Sequence, residues 1–306
     1  MDPALPTQPV SADLHDAVLT WYWAGGRRLP FRASTDPWAI LVSEVMAQQT
    51  QAARAGERWS AFMTRFPTVE ALALASPADV LRAWRGLGYN RRALDLRSAA
   101  RRIVDDFGGH VPRTLAALLS LPGVGPYTAR AVAAIAFEIP VGAVDTNVRR
   151  VLGRIVAGDP VSVPAGELQR IADAAVPSDR AAAWTHAMMD IGAMFCRPDR
   201  PDCAACPARS WCRFTKNARS TATRRATATR ATAVPFIATN RWLRGRIIDR
   251  LRDAPDGEWV MLAEPIGEHG SELVATAVRA LAAEGLLELA GGPGSALAAR
   301  LPVSDR

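Results

Sequence analysis

Glu44, in the stretch SEVMAQQTQ, is a carboxylate without an obvious ion-pair partner. On a helix its neighbours three and four residues away are Ile40, Leu41, Ala47 and Gln48, none of which can form the usual stabilising charge pair. Facing a cleft with little water, such a carboxyl titrates upward and can act as an acid; facing solvent, it is an ordinary surface residue. Four cysteines, Cys196, Cys203, Cys206 and Cys212, follow a C-x6-C-x2-C-x5-C spacing and are the only cysteines of the chain. In a reducing compartment such clustering fits a metal site better than disulfides. Four thiolates can complete the iron coordination of a [4Fe–4S] cluster, and zinc accepts the same set.

LPGVGPYTARAVAAIAFEIPVGAVDTN, residues 121–147, holds a second group of chemical positions. Pro122, Gly123, Val124 and Gly125 can turn the chain tightly, and a helix can begin at Pro126 with its first N–H groups facing the turn. Such an N-terminus can hold a DNA phosphate, although a plain helix–helix corner uses the same residues. Asp145 or Asn147 can cap the next helix, VRRVLGRI. A functional Asp145 would instead set negative charge against an electron-poor sugar, and one position can serve both roles. Gln48 and Gln49 offer donors and acceptors to base edges, or simply end a helix. In RGLGYNRR, Tyr89 can enter a base stack or pack beneath its loop, while the flanking arginines can neutralise phosphates.

The elements that must position these residues read as helices. The 306 residues are 49% hydrophobic, enough for substantial cores, with a formal net charge of +7 that favours an anionic partner, nucleic acid or a membrane surface. The start, MDPALPTQPV, lacks the organisation of a secretory signal, and no apolar run is long enough to span a bilayer, so a cytoplasmic, nucleoid-associated location is expected, with no membrane partner. DLHDAVLTWYWA has amphipathic spacing, and Asp36–Pro37 opens PWAILVSEVMAQQTQ, whose Trp38, Leu41, Val42, Val45 and Gln49 give it an inward face with Glu44 on the flank. Helices are also predicted around 54–65, 77–84, 91–107 and 114–120, and in VPAGELQRIADAAV and RAAAWTHAMMDIGAMFC. After Phe214 a Thr/Ala/Arg-rich linker carries Lys216, Arg219, Arg224, Arg225 and Arg230 and no acid. NRWLRGRIIDRLRD and SELVATAVRALAAEG then read as helices, and LLEL and ALAARLP as strands around a GGPGS turn, which suggests a small winged-helix-like domain.

SEVMAQQTQ, GLGYNRR, LPGVGPYTA, VDTNVRR and the four-cysteine pattern, in that order, resemble the MutY-like adenine DNA glycosylases of the helix-hairpin-helix, or endonuclease III, superfamily; the resemblance covers most of residues 11–214. It implies a mainly α fold: a helix-hairpin-helix glycosylase core with a [4Fe–4S] cluster loop over 1–214, a basic linker over 215–235 and a small winged-helix-like α/β domain over 236–306. The resemblance implies Glu44 and Asp145 as catalytic acids, with Asn147, Tyr127 and Arg32 at other active-site positions. DNA would be bound through Gln48, Gln49, Tyr89 and the hairpin Gly123, Val124 and Gly125, and the cluster by the four cysteines. Tyr127 stands where bifunctional relatives carry a lysine nucleophile, so a monofunctional enzyme is implied.

The implied reaction is hydrolysis of the N-glycosidic bond of adenine mispaired with 8-oxoguanine or guanine, in base excision repair, by a monomer acting on double-stranded DNA. The alternatives are excision of thymine opposite guanine or of hypoxanthine, or a non-catalytic DNA-damage binding module. Two departures bear on specificity. Ala47 and Ala52 are smaller than the family's frequent leucine and valine, and residues 236–304 do not match the larger β-containing domain of familiar members.

Overall fold

The computed structural model describes residues 10–159, 162–214, 234–290 and 297–303. The chain groups into two compact units, one of Met1–Glu44, Arg113–Ser120 and Val124–Ala228, the other of Val45–Pro112, Leu121–Gly123 and Thr229–Arg306. In chain order the helices are α1 (Ala12–Gly25), α2 (Pro37–Ala47), α3 (Ala52–Arg65), α4 (Val69–Leu74), α5 (Pro77–Ala83), α6 (Arg91–Phe107), α7 (Leu115–Leu119), α8 (Pro126–Phe137), α9 (Thr146–Ala157), α10 (Ala165–Ala174) and α11 (Ala181–Met194). Among the described residues, none is long and apolar enough to cross a membrane.

In the first unit, α1, α8, α9, α10 and α11 share a core built on Leu14, Val18, Leu152, Trp184, Met188 and Ile191. Helix starts follow capping chemistry. Ser11 accepts from the Leu14 N–H at α1, and Asp36 accepts from Trp38 and Ala39 at α2. Helix α2 is buried from Trp38 to Met46, so Glu44 does not lie on a solvent flank.

In the second unit, Phe62, Phe66 and Trp84 pack edge to face beside α4, α5 and α6. Helix α4 escaped the periodicity reading because VEALAL is only six residues long; Thr68 starts it by accepting from the Ala71 N–H. Helix α2 also stops earlier than its pattern suggests. The Arg92 guanidinium donates to the carbonyls of Val45, Met46 and Gln48 at 2.7, 3.1 and 2.6 Å, satisfying its last turn, and Gln49 leaves with a left-handed φ of 52°.

The C-terminal residues belong to this second unit. Helix α12 (Asn240–Asp253) is followed by β1 (Val260–Met261), α13 (Ser271–Ala283), β2 (Glu288–Leu289) and β3 (Ala298–Arg300). The strands form one antiparallel sheet in the order β1–β3–β2, with Val260 opposite Ala299 and Glu288 opposite Arg300. β1 was not read from the sequence: two residues are too few for a period-2 pattern, and it is their pairing with β3 that makes them a strand. The buried Arg252 guanidinium fastens α12 to the rest of the unit through Leu81 O at 2.7 Å, Asn90 Oδ1 at 2.8 Å and Asp249 Oδ1 at 2.9 Å. The expected GGPGS turn and the basic run from Lys216 to Arg230 lie outside the described residues.

The iron–sulfur part of the expected fold is corrected. Among the described residues, no group of three or more His, Cys, Asp or Glu side chains is arranged to hold a metal ion. Cys196, Cys203, Cys206 and Cys212 form no disulfide among the described residues and line one small cavity. Their loop is organised by Arg154, which donates to Cys196 Sγ at 3.3 Å, Arg197 O at 2.9 Å and Pro198 O at 2.9 Å, while the Cys212 thiol donates to Arg154 O. Burial pushes the Cys203 thiol up, and that of Cys206 up to about 11.

Candidate active site

The first unit brings Glu44, Tyr127, Arg32, Asp145 and Asn147 together. Glu44, near the end of α2, is only 6% exposed, and the Tyr127 hydroxyl at the start of α8 donates to its Oε2 at 3.2 Å. Burial pushes the Glu44 carboxyl up to about 7; the Tyr127 hydrogen bond and the Arg32 charge oppose the rise, and the Asp145 charge adds to it. Near neutral pH this carboxyl therefore holds a proton that it can also release. Tyr127 is pushed well above its ordinary value by burial and by the negative charges of Glu44 and Asp145, so it stays a neutral phenol.

Asp145 is the N-cap of α9. Its Oδ1 accepts from the Val148 N–H at 2.6 Å and its Oδ2 from Asn147 Nδ2 at 3.1 Å. Asn147 is fixed in turn by Arg150, which donates to Asn147 Oδ1 at 2.7 Å and Gly192 O at 2.8 Å. The capping role of Asp145 thus leaves a carboxylate whose orientation is set by two donors and held near Glu44.

Arg32, on a 3-10 turn at Pro30–Ala33, grips Asp190 of α11 with two bonds of 2.7 and 2.8 Å. The Arg27 backbone and side chain complete the cage at 2.8 and 2.6 Å around a fully buried Asp190. Burial alone would raise the Asp190 carboxyl, but the two arginines hold it below its usual value. His186, on the same helix, is pushed down to about 3 by burial, aided by the Arg32 charge, so its ring is neutral where Nδ1 meets the Tyr22 hydroxyl at 3.3 Å. Sequence reasoning missed Asp190 and Arg27. The available signal was a single acid amid the apolar run AMMDIGAMF, with no Lys or Arg three or four residues away.

Helices α9 and α11 pack so closely that Gly192 has no room for a side chain. A Cβ there would lie 2.5 Å from Asn147 Cβ and 3.2 Å from its Cα. Alanine would normally improve a helix interior by about 1 kcal/mol, yet here the obstacle includes backbone. We expect Gly192→Ala to destabilise the protein by about 1–3 kcal/mol and to slow turnover through displaced Asn147, as read by thermal unfolding and single-turnover kinetics. A stabilised variant would show that the helices can separate at little cost.

The other positions singled out from the sequence divide between the units. Gly123 takes a left-handed φ of 73°, and a Cβ there would lie 2.8 Å from Asp95 Cβ, which explains the glycine. Its carbonyl receives Gln48 Nε2 at 3.4 Å within the second unit, to which Gln49 and Tyr89 also belong. Val124 and Gly125 group with the first unit; Gly125 is the N-cap of α8, makes no side-chain capping bond and has open space around it.

Residues 42–174 match the model of the HhH-GPD superfamily base excision DNA repair proteins. An adenine DNA glycosylase of Mycolicibacterium smegmatis is 42% identical over 240 residues, covering 78% of this chain and 80% of that protein. One from Mycobacterium tuberculosis is 41% identical over 265 residues, covering 82% and 83%. A solved thermostable thymine-DNA glycosylase superposes with a TM-score of 0.62 at 29% identity, over 66% of this chain and 94% of that one. Sustained identity across four-fifths of the mycobacterial proteins places this chain among the adenine DNA glycosylases of the HhH-GPD base excision repair superfamily.

Proposed function

We infer that this chain removes adenine mispaired with 8-oxoguanine or guanine from double-stranded DNA, as a monofunctional glycosylase of base excision repair. A buried, proton-holding Glu44 beside the Asp145 carboxylate is the observation that carries the reading. The target nucleotide must leave the duplex for such a buried pair to reach it. Glu44 donates its proton to adenine N7, and the glycosidic electron pair leaves with the base. Asp145 stabilises the positive charge growing on the deoxyribose. Water then adds to C1′ and returns a proton to Glu44, so the products are free adenine and an abasic site.

Asn147 and Arg150 orient Asp145; Arg32, held by Asp190, supplies a fixed positive charge near Glu44. Tyr127 supports Glu44 and has no amine with which to form a Schiff base. The hairpin Gly123–Val124–Gly125 would take a DNA phosphate at the uncapped start of α8, and Gln48, Gln49 and Tyr89 would contact the duplex. In this reading residues 1–214 carry the chemistry, 215–235 the basic linker and 236–306 a small winged-helix-like domain, in a monomer working at the nucleoid.

Single-turnover assays on duplexes with adenine opposite 8-oxoguanine, adenine opposite guanine, thymine opposite guanine and hypoxanthine opposite thymine test this directly. Adenine should leave fastest opposite 8-oxoguanine. The product strand should stay intact until treated with alkali, and borohydride should trap no covalent protein–DNA adduct. Preferred thymine release, or efficient trapping through a protein amine, would refute the assignment.

A further inference from the structure

The second unit contains an open cavity of about 820 Å³, within the size range of ligand sites. Gln48, Gln49 and Tyr89 line it together with Arg241 of α12. Its acids are already engaged: Asp95 by Arg91 at 2.9 Å, Glu284 by Arg244 at 2.5 Å, and Asp249 by Arg246 and Arg252. Arg54 and Arg241, which also border the cavity, make no ion pair among the described residues, so the basin presents uncompensated positive charge.

Tyr89 supplies a second observation. It holds a left-handed φ of 45°, a conformation bulky side chains rarely adopt, and the residue is 42% exposed. The preceding Gly88 is also left-handed, and the Tyr89 carbonyl receives the Arg92 N–H, so the ring is presented by a defined turn. The Arg241 guanidinium lies 4.2 Å from the ring centroid, and that of Arg92 5.7 Å. An exposed aromatic face with a planar cation on it, bordered by glutamine amides, suits a nucleotide: its base stacks, its edge hydrogen-bonds and its phosphate meets the free charge.

We propose that Arg241 and Tyr89 form a nucleotide-binding platform in this basin, through which the C-terminal helix α12 takes part in holding the substrate DNA. The proposal rests on the DNA glycosylase reading above and adds to it a specific role for the C-terminal residues. Arg241 is exposed, so its replacement leaves the core of the unit untouched.

Binding of the full-length protein to a mismatched duplex, followed by fluorescence anisotropy in a Glu44→Gln background, separates this proposal from the chemistry. Arg241→Ala should weaken binding about tenfold and reduce the salt slope of binding by about 1. Arg241→Lys should restore the slope while recovering only part of the affinity, because an ammonium lacks the planar face. Combined with Tyr89→Leu, the loss should fall short of the product of the single losses, since both act through one platform. Unchanged binding by Arg241→Ala, full rescue by lysine, or independent effects of the two residues would each overturn the platform. Failure of the Glu44-containing protein to release adenine, with Arg241-dependent binding intact, would overturn only the catalytic reading.

Discussion

Replacing Glu44 with Gln is expected to lower adenine excision by about 10²–10⁴-fold, the usual contribution of a general acid. The variant should still bind the mismatched duplex, because Gln keeps the shape and can accept the hydrogen bond from Tyr127. The unmodified enzyme must keep Glu44 protonated, so its single-turnover rate should fall about tenfold per pH unit above a midpoint near the carboxyl's value of about 7. A Gln variant with near-native rate, or a rate insensitive to pH through this window, would remove Glu44 from the role of acid.

The same substitution has a stability signature. Glu44 titrates at 4.5 when solvated and at about 7 in the folded protein, so the native state holds its proton more tightly than the unfolded state. Its contribution is fully present below pH 4.5 and is lost as pH rises through 7, where the native state must carry a buried charge at a cost of about 3 kcal/mol. Glu44→Gln should therefore gain thermal stability relative to the parent protein above pH 7 and lose that advantage in acid. Parallel melting curves with no pH-dependent gap would contradict the burial-driven shift.

Asp145→Asn is expected to reduce excision by about 10²–10³-fold, as loss of an aligned charge in the transition state does. Asn is as good an N-cap as Asp and can still accept from the Val148 N–H, but its NH2 cannot accept from Asn147 Nδ2, so stability should fall by only about 1 kcal/mol, the loss of that one hydrogen bond. Asp145→Ala should lose both charge and cap, adding a stability loss of about 1 kcal/mol. The pair of variants separates the two roles that share this position. Native-like excision by the Asn variant would reduce Asp145 to a helix cap.

Local chemistry made much of the site legible in advance. Glu44 stands out because no neighbour on its helix can pair with it, Asp145 because it precedes a helix, and the hairpin because Gly123 needs a left-handed backbone. The resemblance, which sets Tyr127 where bifunctional relatives carry a lysine, argued against an amine nucleophile. The cysteines misled for a related reason: their spacing records how far apart they are along the chain, whereas a metal site depends on how side chains are arranged in space, and among the described residues no group of three or more His, Cys, Asp or Glu is arranged to hold a metal ion.

What the sequence by itself determined was therefore short-range: where most helices begin and end, which turns need glycine, and which acids lack local partners, since capping and 3.6-residue periodicity act within a few residues. Tertiary structure alone decided which distant groups the charged side chains meet. Asp190 meets Arg32 across 158 residues, Arg150 of α9 braces Asn147 against α11, and Arg241 meets Tyr89 across a comparable span. A buried ion such as Asp190 is stable only where the distant segments that desolvate it also supply its counterpart, and that convergence is a property of packing that no window of sequence contains.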